Sequence, residues 1–128
     1  MIVVDASAMV EALIAADPAP GLVDLLAGDV YAPHLLDVEV ASVLRGLNIA
    51  GKLSDTAAGT AHTDFAALTI NRYAFAPLAA RAWQLRHRFT TYDASYLALA
   101  EALRAPLVTC DRTLAAPGHQ ANVVLIAP

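Results

Sequence analysis

Four acidic residues interrupt segments that are otherwise apolar: Asp5, Glu39, Asp93 and Asp111. Asp5 ends the run Ile2-Val3-Val4, and Asp111 ends Leu107-Val108-Thr109-Cys110. Short apolar runs stopped in this way read as buried strands. Glu39 has Leu36 and Val43 at i−3 and i+4, and Asp93 has Leu97 and Ala100 on its face, so both sit on apolar helical stripes. An α/β fold can bring strand ends and helix faces to one edge of its sheet. Two carboxylates ~4 Å apart repel by ~4 kcal/mol at an effective dielectric of ~20. Three or four together would offset much of a domain's stability of roughly 5–15 kcal/mol. Either some of them protonate or a cation holds them. Carboxylate oxygens without histidine or thiolate suit Mg²⁺ or Mn²⁺. Such an ion activates water and stabilises charge developing on a phosphate.

Each acid also has a local structural use. Asp5 and Asp111 could cap the segments that follow them, although Ser7 is the expected cap of the first helix. Asp93 fits a capping box with Thr90, at the spacing Thr-x-x-Asp. Glu39 has no such use in a helix already rich in apolar residues: it either snorkels to water at the edge of the stripe or, the favoured reading, faces a polar pocket. Asp37, two residues earlier, suits the helix dipole and is assigned a structural or supporting role. Glu11 is expected on a solvated helix face, and Tyr92 and Tyr96 in packing. The four histidines are scattered without metal-ligand spacing. Arg86 and Arg88 flank His87 ahead of Asp93 and read as a cationic helix end or a phosphate clamp. The chain contains no Gly-rich phosphate loop ending in Gly-Lys-Ser/Thr and no Gly-x-Ser-x-Gly elbow.

The elements that must position these residues alternate along the chain. Strands are expected at 2–4, 30–32, 69–73, 107–110 and 123–126. Helices are expected at 7–16, 21–27, 35–49, 54–68, 77–86 and 90–104, with a helical turn after Asp111. Gly51 is placed as the glycine just past the third helix and Pro77 at the start of the fifth. This alternation predicts a single α/β domain with a mostly parallel central sheet between two helical layers.

Composition narrows the function classes. Net charge is −4, with seven arginines and one lysine, Lys52. A sequence-independent DNA-coating protein would be basic, whereas metal ions can supply local positive charge to an acidic chain. Hydrophobic residues make up 58% against 16% charged, even though 29 residues are alanine. This excess predicts apolar surface covered by a partner. A lone cysteine, Cys110, excludes an internal disulfide and fits a reducing cytosol. The first residues lack a basic secretory leader, and no run suits a membrane span, so a cytoplasmic location is expected.

The residues also carry a family resemblance. Ile2-Val3-Val4-Asp5-Ala6-Ser7 resembles the opening of PIN-domain proteins, as does Asp37-Val38-Glu39-Val40-Ala41-Ser42-Val43-Leu44-Arg45. Thr91-Tyr92-Asp93-Ala94-Ser95-Tyr96-Leu97-Ala98-Leu99-Ala100-Glu101 is the most specific match, and Leu107 to Arg112 completes the set. Order, spacing and length together resemble the VapC toxins of bacterial toxin–antitoxin pairs. The resemblance implies a three-layer PIN-like fold and an Mg²⁺- or Mn²⁺-dependent endoribonuclease. It also implies a homodimer, and inhibition by a VapB antitoxin whose tail covers the acidic pocket. DNA contact would come only through that antitoxin. Carried over by position, the metal-binding and catalytic acids are Asp5, Glu39, Asp93 and Asp111. Ser7 and Thr109 would orient carboxylates or waters, and Arg86, Arg88 and Arg112 are candidate phosphate contacts. Two other classes compete. One is a catalytically idle dimerisation or interaction module. The other is a magnesium phosphotransferase, disfavoured because Asp5 is followed by Ala6 and Ser7 and only one lysine is present.

Overall fold

Five parallel strands form one sheet in the order β3-β2-β1-β4-β5, in a computed structural model describing residues 1–127. The strands are β1 (Ile2–Val4), β2 (Val30–Pro33), β3 (Ile70–Tyr73), β4 (Leu107–Thr109) and β5 (Val123–Leu125). The α-helices are α1 (Ala6–Ile14), α2 (Leu22–Leu26), α3 (Leu35–Ile49), α4 (Asp55–Ala67), α5 (Ala79–Gln84) and α6 (Thr91–Leu103). Successive parallel strands require crossovers, which are right-handed in nearly all proteins. The chain first steps from β1 through β2 to β3, then returns past β1 to β4. Reversing direction with the same handedness places α1–α4 on one face and α5–α6 on the other. The packing agrees: α1 contacts α3 and α4, while α6 contacts α5, β1, β2 and β4. The fold is the expected three-layer α/β/α arrangement.

Local chemistry explains the element ends. Ser54 caps α4 through the Ala57 N–H at 3.1 Å. Thr90 caps α6 through the Asp93 N–H at 3.1 Å. Gly51 sits past α3 with φ +75°. It lets Gly51 N–H reach the Asn48 carbonyl at 3.0 Å and Lys52 N–H reach the Leu47 carbonyl at 2.9 Å, a Schellman closure. Pro77 lies in a 3₁₀ turn, Ala76–Leu78, rather than starting the α-helix itself, so α5 is shorter than expected. β4 ends at Thr109, one residue early.

The core explains why α6 is so apolar. Residues 94–100 are all buried, Leu97 completely, because this helix lies across three strands with α5 over it. α3 buries only the stripe Leu36, Val40 and Leu44, the i, i+4, i+8 pattern of a helix with one face on the core. Glu101, near the end of α6, takes Arg81 Nε and Nη2 on its two oxygens at 2.7 and 3.0 Å, and the Gln120 N–H at 2.8 Å. These bonds hold its carboxyl below the usual range, led by Arg81. One side chain thus joins α5, α6 and the segment before β5. Glu101→Ala is expected to lower stability by about 1–2 kcal/mol, read as a reduced urea midpoint with an unchanged m-value.

Candidate active site

β1 and β4 are adjacent, but their outgoing connections diverge. In open parallel sheets, ligands bind in the crevice beyond the strand ends at such a switch point. Asp5 and Asp111 stand there. Asp5 is only 6% exposed. Its Oδ1 accepts from the Ala8 N–H at 3.0 Å and from the Ser7 hydroxyl at 2.7 Å, and its Oδ2 accepts from Thr109 Oγ1 at 2.6 Å. The cap of α1 is therefore Asp5, not Ser7. Ser7 lies in the first turn, where its hydroxyl supports the acid.

The two hydroxyls also tie the strand ends together. Ser7 Oγ accepts the Cys110 N–H at 2.9 Å, and Thr109 Oγ1 accepts the Asp111 N–H at 2.9 Å. With both hydroxyl protons directed at Asp5, the 3.2 Å Ser7–Thr109 approach carries no proton of its own. Asp111 caps the 3₁₀ turn Arg112–Ala115, its Oδ1 accepting from Thr113 N–H at 2.9 Å and Thr113 Oγ1 at 2.8 Å.

Glu39 on α3 and Asp93 on α6 approach from opposite sides of the sheet. Glu39 Oε1 accepts the Tyr96 hydroxyl at 2.6 Å. Asp93 follows the cap of α6, its N–H donating to the Thr90 hydroxyl at 3.1 Å. All four acids line one cavity of about 380 Å³. Ser7, Tyr96, Cys110 and Glu11 share it, and Val10, Ile14 and Val43 form its apolar side. Glu11 belongs to this wall rather than to a purely solvated face. Tyr96, expected only to pack, presents its hydroxyl to the site. Asp37 does not join: it forms a two-pronged ion pair with Arg72 at 2.8 and 2.9 Å, the structural role expected of it.

The electrostatics follow from this crowding. Burial raises the Asp93 pKa first, and the charges of Asp111, Glu39 and Asp5 raise it further. Asp5 is also raised. Burial dominates, the hydrogen bonds from Thr109, Ala8 and Ser7 oppose it, and Asp111 adds repulsion. Burial raises the Cys110 thiol, helped by Glu11 and Asp5.

The donor set suits a hard cation by type. The cavity holds these four carboxylates and that of Glu11, and no histidine. A carboxylate oxygen accepts about two bonds. Asp5 Oδ1 is filled by Ser7 and Ala8, leaving capacity on Oδ2. Asp111 and Glu39 each engage only one oxygen. Among the described residues, no three carboxylate, imidazole or thiolate side chains already converge on one point. Asp5 and Asp111 are held by caps and Glu39 by Tyr96, so sharing an ion requires side-chain rotation within the cavity.

Arg86, Arg88 and Arg112 are exposed, and none lines this cavity. Arg86 lies 4.5 Å over the Trp83 ring and donates to the Trp83 carbonyl. Arg88 crosses Gly118 (φ +123°), where a Cβ would meet its Cδ at 2.5 Å. A second cleft, about 400 Å³ near the end of α6, has one carboxylate, Glu101, already paired with Arg81. It lacks the clustered acids.

This architecture matches a known family. The PIN domain model matches residues 2–119, and the chain belongs to the PIN-domain family, in its VapC branch. It is 44% identical over 129 residues to Ribonuclease VapC1 of Mycobacterium tuberculosis, covering 97% of this chain and 96% of that one. It is 39% identical over 129 residues to Ribonuclease VapC12 of the same species, covering 99% and 100%. The crystal structure of M. tuberculosis VapC20, a Sarcin-Ricin loop cleaving toxin, superposes with a TM-score of 0.66 at 21% identity. That match covers 94% of this chain and 97% of that one, and it bears on the fold.

Proposed function

We propose that the chain is a divalent-metal-dependent endoribonuclease, the toxin of a toxin–antitoxin pair. The carrying observation is that Asp5, Glu39, Asp93 and Asp111, drawn from distant parts of the chain, line one cavity of about 380 Å³. Asp5, Asp93 and Asp111 would hold Mg²⁺ or Mn²⁺, and Glu39 would complete the set as a ligand or as the acceptor that orients water. A bound ion supplies an activated water and offsets charge developing on the phosphodiester. Ser7 and Thr109 orient Asp5 and oppose the rise in its pKa that burial causes, as partners behind metal ligands do. Arg86, Arg88 and Arg112 are candidate contacts for phosphates away from the scissile one. The mycobacterial relatives named ribonucleases support RNA as the substrate class.

The same reading includes a VapB-type antitoxin that covers the acidic cavity. A homodimer would cover the exposed Phe75 and Tyr92, which line a separate apolar hollow with Pro33 and Leu35. No helix among the described residues is long and apolar enough to cross a membrane. The test uses purified chain free of any antitoxin, incubated with total bacterial RNA. New 5′ ends are expected with Mg²⁺ or Mn²⁺ and none in excess chelator. Undiminished cutting in chelator would refute the metal role. No cutting with either ion would favour the idle interaction module.

A further inference from the structure

The Tyr96 hydroxyl is the only part of that side chain with chemistry to offer, and it is committed to one acceptor. The residue is 2% exposed and lies on α6 one turn after Asp93. Its ring packs in the core, while its O–H crosses to α3 and donates to Glu39 Oε1 at 2.6 Å. A phenylalanine would fill the same core volume. The hydroxyl therefore needs a separate explanation, since a buried polar group must be satisfied to be tolerated.

We propose that Tyr96 is a positioning residue, which fixes the Glu39 carboxylate by bonding one oxygen and leaving the other for the cavity. This rests on the nuclease reading above and deepens it. Several observations support it. Glu39 is half-buried on a helix whose core stripe runs through Leu36, Val40 and Leu44 instead. Without a partner, its flexible side chain could swing outward to water, like other long charged side chains at a stripe edge. Tyr96 anchors it from the opposite layer of the fold. The bond also runs in one direction. Tyr96 donates to Oε1 of Glu39 and leaves the second carboxylate oxygen available to the cavity. The bond couples α6, which carries Asp93, to α3 across opposite helical layers.

The test is a double-mutant cycle with two readouts: Mn²⁺ affinity by electron paramagnetic resonance, and cleavage of total bacterial RNA. The variants are Tyr96→Phe, Glu39→Gln and the pair, with Asp5→Asn as a control. Tyr96→Phe is expected to weaken Mn²⁺ binding or slow cleavage by ~10–100-fold, in whichever readout Glu39→Gln affects. In the Glu39→Gln background it should change that readout by less than about twofold, because its only route is through Glu39. A packing role would reduce the readout equally in both backgrounds, and that result overturns the assignment. So does a Tyr96→Phe variant with native affinity and rate while Asp5→Asn is inactive, and this leaves the nuclease reading standing. Full cleavage by Asp5→Asn would overturn the nuclease reading itself.

Discussion

Asp5→Asn is expected to slow RNA cleavage by at least ~10²–10³-fold, the equivalent of about 3–4 kcal/mol of lost transition-state stabilisation, while the melting temperature holds or rises. The two halves of this result have different causes. Activity falls because a neutral amide is a much poorer ligand for a hard dication than a carboxylate. Stability survives because the local bonds can be re-made. The amide oxygen still accepts from Ala8 N–H and the Ser7 hydroxyl, both within 3.0 Å of Oδ1. The amide NH₂ would face Thr109 Oγ1, which now donates to Asp5 at 2.6 Å while accepting the Asp111 N–H. Thr109 can instead accept from that NH₂ and turn its proton towards Ser7 Oγ, 3.2 Å away. Every polar atom keeps a partner, and a buried charge disfavoured by its surroundings has gone. Circular dichroism melts alongside RNA cleavage would check both halves. A variant that loses activity because it unfolds would show the carboxylate to be structural. A fully active, folded variant would end the metal-nuclease argument.

The strand-end acids were legible because an apolar run halted by aspartate marks a strand edge, and two such edges met at the switch point. Glu39 was legible as a charge that its helix did not need. The α1 cap was misassigned because Asp5 and Ser7 are both good caps two residues apart. Only the Ala8 N–H, 3.0 Å from Asp5, separates them. Tyr96 was hidden by its setting: a tyrosine among alanines and leucines reads as core. Its partner lies 57 residues away on another helix, beyond any local pattern. Glu11 left a faint signal, since it falls one turn after Ser7 and so on the site's side of α1. Charge alone could not say where the arginines point. Arg86 turns onto Trp83 and Arg88 across Gly118. The elements themselves were readable from caps, glycines and periodicity, with boundary shifts where a 3₁₀ turn replaced an α-turn after Phe75.

The crowding of the acids has a second measurable consequence: metal-free protein should lose stability as pH rises from the ordinary aspartate value through the raised values of Asp5 and Asp93. Asp5 and Asp93 have pKa values raised above the ordinary 3.8 in the folded chain. The folded state therefore binds more protons than the unfolded state over this interval, and stability declines with pH until both acids have ionised. The favourable contribution is complete below the ordinary aspartate value and lost above the raised values. Glu101 works the other way, because its pKa lies below the usual 4.5, so its effect is confined to more acidic solution. Asp93→Asn should flatten the decline, since it removes one raised group and relieves the repulsion acting on its neighbours. Mn²⁺ should reverse the trend near neutral pH, where the carboxylates are ionised. At a concentration ~100 times its Kd it would add about 2.7 kcal/mol, or ~10 °C in melting temperature for a chain of this size. Near pH ~5 the shift should be smaller, because the ion must displace protons to bind. Calorimetry at both pH values, with and without chelator, would measure these differences. A melting temperature independent of pH in chelator, with equal Mn²⁺ shifts at both pH values, would mean that the acids neither repel one another nor share an ion.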